Sequence, residues 1–298
     1  MAISHPAVKT RFRDLFLVFL AYMVALLAAL LVGWLFSNLH VLYMVLLADI
    51  AGTLVIYLAG RIFRNASFYD PYWSVAPIVI AFFWVSSNLS SAIVLRMIFV
   101  LFLVFFWGLR LTLNWVRGWQ GIKHEDWRYR DFREKSGKWF WLMDLFGIEL
   151  APTMFVYLGC LSLYPALALG DRAFGILDIL ATIITAGAVL VETTADEQMK
   201  SFFKSNPPPD AVMSSGLWKY SRHPNYFGEV AFWWGLFLFG LAAAPGYWWT
   251  IIGPVAITLL FIAVSIPMME KRQTAKRPAY AEYRKRVSAF ILWFPGSK

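Results

Sequence analysis

The sequence predicts an all-α protein, a polytopic integral membrane bundle of about eight transmembrane helices with both termini in the cytoplasm. Three observations predict it. Sixty per cent of the 298 residues are hydrophobic, only 15% are charged, and the mean hydropathy is +0.60, whereas soluble domains carry about 25% charge. The apolar runs are about twenty residues long and do not alternate with period two, the pattern of membrane helices rather than barrel strands. The Lys and Arg residues fall on alternate connections, the bias that sets membrane orientation.

Spans are expected at residues 15–36, 41–60, 74–87, 92–116, 146–168, 173–195, 227–244 and 247–268. The first run, Leu15 to Phe36, is too long for a signal-peptide core and lacks a small-residue cleavage pattern, so it reads as a retained span. Leu15 to Gly60 holds little besides aliphatics and is assigned to packing or lipid contact. Residues 1–64 thus read as an N-terminal transmembrane hairpin, and 65–298 as the functional domain with cytoplasmic loops and an interfacial C-terminal tail.

The N-terminal tail carries three cations, the 61–73 connection two, the 117–140 loop seven, the 196–225 loop four and the tail after Glu270 eight. The four opposite connections together hold only Arg172. The net charge of +9 therefore reads as topology plus attraction to anionic lipid, and no nucleic-acid module is visible. The single cysteine, Cys160, excludes an intramolecular disulfide and offers no cysteine metal site. His124-Glu125-Asp126 lacks the H-E-x-x-H spacing, so no metal is expected; the loop around it, Gly118 to Lys138, reads as an interfacial lid.

Polar side chains near the spans gather at the cytoplasmic ends: Asp70, Arg110, Asn114, Glu149, Glu192, Asp196, Asn225, Glu229 and Glu270. Asp171 and Asp178 are the main exceptions, near the outer face. Snorkelling at helix ends favours Lys and Arg, whereas carboxylates and Asn dominate here, so a shared cavity open to the cytosol is expected. Asp70, ahead of Pro71, has two readings: an N-cap, or with Tyr69 a proton donor at the membrane edge. Arg110, Asn114 and Arg117 share one helix face, with Trp107 a turn deeper. Glu192, Asp196, Lys200 and Lys204 recur every four residues, either as salt bridges on a solvated helix or as a ligand wall.

The most informative stretch runs from Gly216 through Trp218, Tyr220, Arg222, His223, Pro224, Asn225 and Tyr226 to Glu229, where a membrane helix opens with ionisable groups on its first turns. Such placement costs several kcal/mol per group unless each is paired, hydrated or met by a ligand. Asn225, Glu229 and Trp233 share a face at i, i+4 and i+8.

This stretch resembles the signature of bacterial proteins grouped with the steroid 5α-reductase C-terminal domain. Asp196 to Lys204 upstream, Glu270 with Tyr280 and Tyr283 downstream, Asp70 to Trp73 and Arg110 to Gly118 fit the same pattern, which covers about residues 65–295. Sterol reductases, isoprenylcysteine methyltransferases and phospholipid methyltransferases carry similar versions of the Arg222 to Tyr226 core. The resemblance implies a bacterial inner-membrane enzyme of lipid metabolism, with its site facing the cytoplasm, that uses NADPH to reduce a conjugated C=C bond in a lipophilic enone. The substrate would enter from the bilayer, and the protein would act as a monomer among membrane lipids, without nucleic acid or metal.

In the resemblance, Glu192 and Asp196 stand where the family has a cofactor-holding Asn and Asp, and Lys200 stands where it has a base. Asn225, Glu229 and Trp233 match its later Asn, Glu and Trp. Tyr69 and Asp70 occupy the place of a Gln–Glu pair near the substrate ketone, Trp107 that of a substrate-side Tyr, and Glu270 or Lys271 that of a His. Tyr69, Asp70 and Trp107 are accordingly the expected catalytic residues. Phosphates of the cofactor would meet Arg110, Arg117, Lys200, Lys204, Arg222 and Lys271, and its rings would stack on Trp218, Tyr220, Tyr226 or Trp233. Asn114, His223, Glu270 and Tyr283 complete the expected cofactor-binding set. No G-x-G-x-x-G turn is present, so no Rossmann domain is expected. An alternative is an S-adenosylmethionine-dependent membrane methyltransferase acting on a lipid or prenylated substrate. A non-enzymatic lipid-binding or scaffold protein is the third possibility.

Overall fold

The computed structural model describes residues 8–87, 94–170 and 172–296; Asp171, residues 92 and 93 of the expected fourth span, and the side chain of Lys9 lie outside this set. The helices are α1 (Val8–Leu35), α2 (Val41–Phe63), α3 (Tyr72–Ser87), α4 (Val94–Gly118), α5 (Trp127–Ser136), α6 (Phe140–Leu142), α7 (Ala151–Cys160), α8 (Ile176–Lys204), α9 (Pro224–Ala243), α10 (Ile252–Leu260), α11 (Ile266–Lys276) and α12 (Tyr280–Arg286). Among the described residues there is no strand. Wider π-helical turns at Met143–Leu150, Pro165–Leu169 and Phe261–Ser265 interrupt the α-helical course. Among the described residues, eight helical stretches are long and apolar enough to cross a membrane, so the protein is a polytopic helical bundle as its sequence predicts. Their outward side chains suit lipid: Phe12, Leu27, Leu30 and Trp34 on α1 are each more than half exposed.

The chain forms two compact units, residues 1–83 with 104–161, and 84–103 with 162–298. The boundary falls inside α3 and inside α4.

In the first unit the two ends of the α1–α4 run are tied by capping. Arg11 Nη2 donates to the carbonyls of Val116 (2.7 Å) and Arg117 (3.1 Å), which a helix C-terminus otherwise leaves unmatched. Asp14 Oδ2 accepts from the backbone N–H of Ile122 at 3.0 Å. Asn65 caps the short 3₁₀ turn Ala66–Phe68 and donates to the carbonyls of Ile122 and His124. Glu125 accepts from the Ala66 N–H and pairs with Arg133, and Asp126 caps α5. The expected lid is therefore pinned at its beginning to the α2–α3 turn. Glu125 and Asp126 are spent on backbone N–H groups, the local use that makes Asp and Asn favoured caps.

In the second unit α8 lies along α9, and small residues set the separation. A Cβ on Gly228 would stand 2.8 Å from the Ala188 carbonyl oxygen and 2.9 Å from Glu192 Cβ; one on Gly235 would stand 2.1 Å from Thr185 Oγ1. Seven residues apart, these glycines let the two backbones touch, as small residues do in membrane helix pairs.

Arg96, within α4, and Asp178, the outer-face exception near the start of α8, are each other's partners. Arg96 Nε and Nη2 meet Asp178 Oδ1 and Oδ2 at 2.7 and 3.0 Å, and Nη2 also donates to the Arg172 carbonyl. Both side chains are 0–1% exposed. A bidentate pair is the geometry in which a buried ion pair best recovers its desolvation cost. Removing one member strands the other charge. Arg96→Leu is expected to lower stability by about 3–5 kcal/mol, and Arg96→Leu with Asp178→Leu to recover most of that, as read by thermal unfolding in lipid nanodiscs.

Candidate functional site

In the second unit the wall begins where Gly228 presses on Glu192. Glu192 on α8 and Glu229 on α9 are both 4% exposed, and Trp233, 2% exposed, donates from Nε1 to Glu229 Oε1 at 2.9 Å. The i, i+4 relation read from the sequence is thus a hydrogen bond inside α9. Further along α8, Asp196 is half-buried and Lys204 exposed, while Lys200 bonds Glu197, three residues back, at 2.7 Å.

The turn before α9 is built on α8. Gly216, at φ 60°, sits against Gln198, whose Oε1 accepts from the Leu217 N–H at 2.9 Å. Trp218 donates from Nε1 to the Ala195 carbonyl at 3.1 Å and packs with Ala195 and Met213. From there the chain is clasped by its C-terminal segment. Arg222 Nε meets Glu270 Oε1 at 2.6 Å, and its Nη1 donates to the carbonyls of Arg284 and Val287. Ser221 Oγ donates to the Phe290 carbonyl at 2.8 Å, the Arg222 N–H to the Ser288 carbonyl at 2.8 Å, and Tyr283 Oη to the Trp218 carbonyl. Arg284 reaches the other Glu270 oxygen at 3.2 Å. Arg222, Glu270 and Tyr283, expected as cofactor ligands, are thus first of all the clasp. Burial, then the neighbouring Glu270 charge, pushes the Tyr280 phenol up to about 12; burial also raises Tyr283. Both phenols remain donors at neutral pH.

Within the clasp lies a cavity of about 260 Å³, lined by Met199, Phe202, Trp218, Arg222, His223, Asn225, Tyr226, Gln273, Arg277, Tyr280 and Tyr283 among others. His223 stacks on Tyr226 (centroids 5.2 Å, interplanar angle 9°), and its Nε2 lies 3.6 Å from Glu270 Oε1. Six expected cofactor residues therefore share one hollow: Trp218, Arg222, His223, Asn225, Tyr226 and Tyr283. Glu192, Asp196, Lys200, Lys204, Tyr220, Glu229, Trp233, Glu270 and Lys271 do not line it; Glu270 and Lys271 border a separate open groove along α11.

Arg277 was missed. Its Nη1 donates to Gln273 Oε1, its guanidinium lies over the Phe203 ring, and its buried Nε has no hydrogen-bond partner among the described residues. The signal available was a cation four residues after Gln273, ahead of Pro278. With aromatic rings and two guanidiniums, the lining suits a nucleotide ring and an adjoining phosphate. At about 260 Å³ the hollow is below the usual range for a whole drug-sized ligand.

The first unit holds a second hollow, about 410 Å³, between α1, α2 and α3. Its walls are almost wholly apolar, with Asp49 and Tyr72 as an interior polar pair. Asp49 is 6% exposed; Oδ1 accepts from Tyr72 Oη at 2.9 Å, and Oδ2 has no partner among the described residues. Gly52 makes room for the phenol, since a Cβ there would lie 2.5 Å from Tyr72 Oη. This corrects the assignment of α2 to packing and lipid contact alone. The signal was present: a lone carboxylate in the middle of a span is a functional candidate by default.

Tyr69 and Asp70 lie elsewhere in the first unit. Tyr69 Oη shares a hydrogen bond with Thr153 Oγ1 (2.8 Å), and Asp70 Oδ1 accepts from Tyr129 and lies 3.6 Å from Arg128 Nη2. Neither lines the 410 Å³ hollow. Trp107 is fully buried and Arg110 is 9% exposed; Asn114 is half-buried and Arg117 exposed.

Residues 56–287 match the model of a family described as protein of unknown function (DUF1295). A Schizosaccharomyces pombe protein described as uncharacterized is 27% identical over 281 residues, covering 83% of this chain and 80% of that protein. No solved structure matches the chain. The family match takes in the α8–α9 wall, the clasp and Tyr72, while α1 and Asp49 lie ahead of it. By that match over most of its length, the chain belongs to the DUF1295 family.

Proposed function

We propose that this protein is a membrane-embedded, NADPH-dependent reductase of a C=C bond in a lipophilic enone, related to the steroid 5α-reductase-like proteins of bacterial inner membranes, with its cofactor site toward the cytoplasm. The observation that carries the reading is the acid–phenol pair Asp49–Tyr72 in a hollow that is otherwise apolar. An apolar substrate would fill that hollow, and a conjugated carbonyl is the kind of polar group such a pair serves. Reduction of an enone builds negative charge on its oxygen, and a phenol beside a protonated carboxyl in a dry site meets that charge far better than water does. Asp49 and Tyr72 take over the donor role that the sequence suggested for Tyr69 and Asp70.

When bound, NADPH would supply the hydride. Trp218 and Tyr226 would hold a ring of the cofactor, Asn225 and Gln273 its amide or hydroxyl groups, and Arg277 with the outer edge of Arg222 a phosphate. Two guanidiniums favour this cofactor over S-adenosylmethionine, which carries no phosphate. The positive-inside distribution of Lys and Arg supports a cytoplasmic mouth.

Purified protein is expected to bind NADPH more tightly than S-adenosylmethionine. Asn225→Ala should weaken that binding, and Arg277→Met should weaken it on the order of tenfold or more by removing a charge-assisted contact. Tighter binding of S-adenosylmethionine would overturn the assignment in favour of a methyltransferase, and binding of neither would favour a lipid-binding or scaffold role. In a second measurement, NADPH oxidation is followed against a panel of lipophilic enones. Asp49→Asn and Tyr72→Phe should each slow turnover by about 10²-fold or more while NADPH affinity stays unchanged; equal loss of both would assign the pair to folding.

A further inference from the structure

A line of buried polar groups in the first unit leads away from Asp49. Thr53 Oγ1 donates to the Asp49 carbonyl at 2.9 Å, and Tyr72 Oη meets the same oxygen at 2.9 Å, so two hydroxyls converge on one atom. Thr53 Oγ1 shares a hydrogen bond with Thr153 Oγ1 at 2.9 Å, and Thr153 shares another with Tyr69 Oη at 2.8 Å. Thr53 is 0% exposed and Thr153 1%.

One helical turn before Thr153 stands Glu149, also 0% exposed. Among the described residues neither of its carboxyl oxygens has a hydrogen-bond partner. Gly60 faces it from α2, seven residues and two turns beyond Thr53; a Cβ there would lie 3.7 Å from Glu149 Oε1. Asp144 comes five residues before Glu149, within the π-helical stretch Met143–Leu150. In a π turn, residues five apart lie near one face, so the irregular stretch brings Asp144 into line with Glu149, and the following α turn adds Thr153. Asp144 Oδ2 lies 3.9 Å from Arg61 Nη1, whose side chain is 41% exposed.

Hydroxyls that only fastened helices together would need no carboxyl at either end. Here an acid with an unpartnered oxygen flanks the line at two places: Glu149, one helical turn from Thr153, and Asp49 Oδ2 at the apolar hollow. An ionised carboxylate in such a place is costly, whereas a protonated one can pass its hydrogen on.

We propose that Arg61–Asp144, Glu149, the Thr153 and Thr53 hydroxyls and Tyr72–Asp49 form a proton path that restores the proton Asp49 gives up. This rests on the reading of Asp49–Tyr72 as the donor pair. The balance is simple. Asp49, left as a carboxylate, takes the Tyr72 proton; Tyr72 takes one from Thr53, whose hydroxyl turns from the Asp49 carbonyl to its neighbour Tyr72 Oη. Thr53 takes one from Thr153 and Thr153 one from Glu149, and water at Arg61–Asp144 reprotonates Glu149. No electrons move along the path. The step between Glu149 and Thr153, one helical turn apart, runs through rotation of the Glu149 side chain and intervening water.

The path is tested without substrate or cofactor, by infrared spectroscopy of the lipid-reconstituted protein transferred into D2O. Two protonated-carboxyl bands are expected, one lost in Glu149→Gln and one in Asp49→Asn. Thr153→Val should slow deuterium exchange at the Asp49 band about tenfold, the signature of one added barrier, while the Glu149 band exchanges as before; Thr153→Ser should restore the rate. Unchanged exchange at Asp49 in Thr153→Val, or no carboxyl band lost in Glu149→Gln, overturns the path. Failure to bind NADPH would instead sink the reductase reading and leave these spectra unaffected.

Discussion

Hydrocarbon offers no hydrogen bonds, so every polar group carried into these helices must be answered from within the protein. That constraint organises both units. In the second it produces the bidentate Arg96–Asp178 pair and the Glu229–Trp233 bond inside α9. In the first it produces the chain of hydroxyls from Tyr69 through Thr153 and Thr53 to the Asp49 carbonyl. Where an answer is missing among the described residues, as at Glu149 and Asp49 Oδ2, the exception is where the proposed chemistry is placed.

Close approach is what makes the answers possible. Gly228 and Gly235 let α9 lie against the backbone of α8, which brings Glu192 beside the start of α9. Gly52 does the same for the Tyr72 hydroxyl against α2. A Cβ at Gly228 or Gly235 would force α8 and α9 apart, and one at Gly52 would displace the Tyr72 hydroxyl.

The stretch from Gly216 to Glu229 has two jobs that its sequence does not separate. Ser221 and Arg222 hold the C-terminal segment, with Glu270 and Tyr283 answering from the other side. His223, Asn225 and Tyr226 face the hollow that this closure creates. Arg222 belongs to both, since its Nε and Nη1 serve the clasp while the side chain still borders the hollow. The clasp also explains why a charged, aromatic tail after the last span is ordered: its carbonyls are the acceptors for Arg222 and Ser221.

Length, hydropathy and the alternation of Lys and Arg determine the helical class and the eight spans, because lipid imposes a fixed thickness and forbids unpaired backbone. Residue type and spacing also expose the region of the second-unit hollow, since charged groups at the start of an apolar helix are anomalous without any structure. Tertiary structure alone decides which of those groups face inward. Spacing placed Glu192, Asp196 and Lys200 on one side of α8, but it could not say that Lys200 turns back to Glu197 while Arg277 arrives from beyond α11. Nor could it join Asp49 to Tyr72, or Thr53 to Thr153, because those partners come from different helices and their meeting depends on where residues such as Gly52 set the backbones. Periodicity is a property of one helix; a site belongs to the space between several.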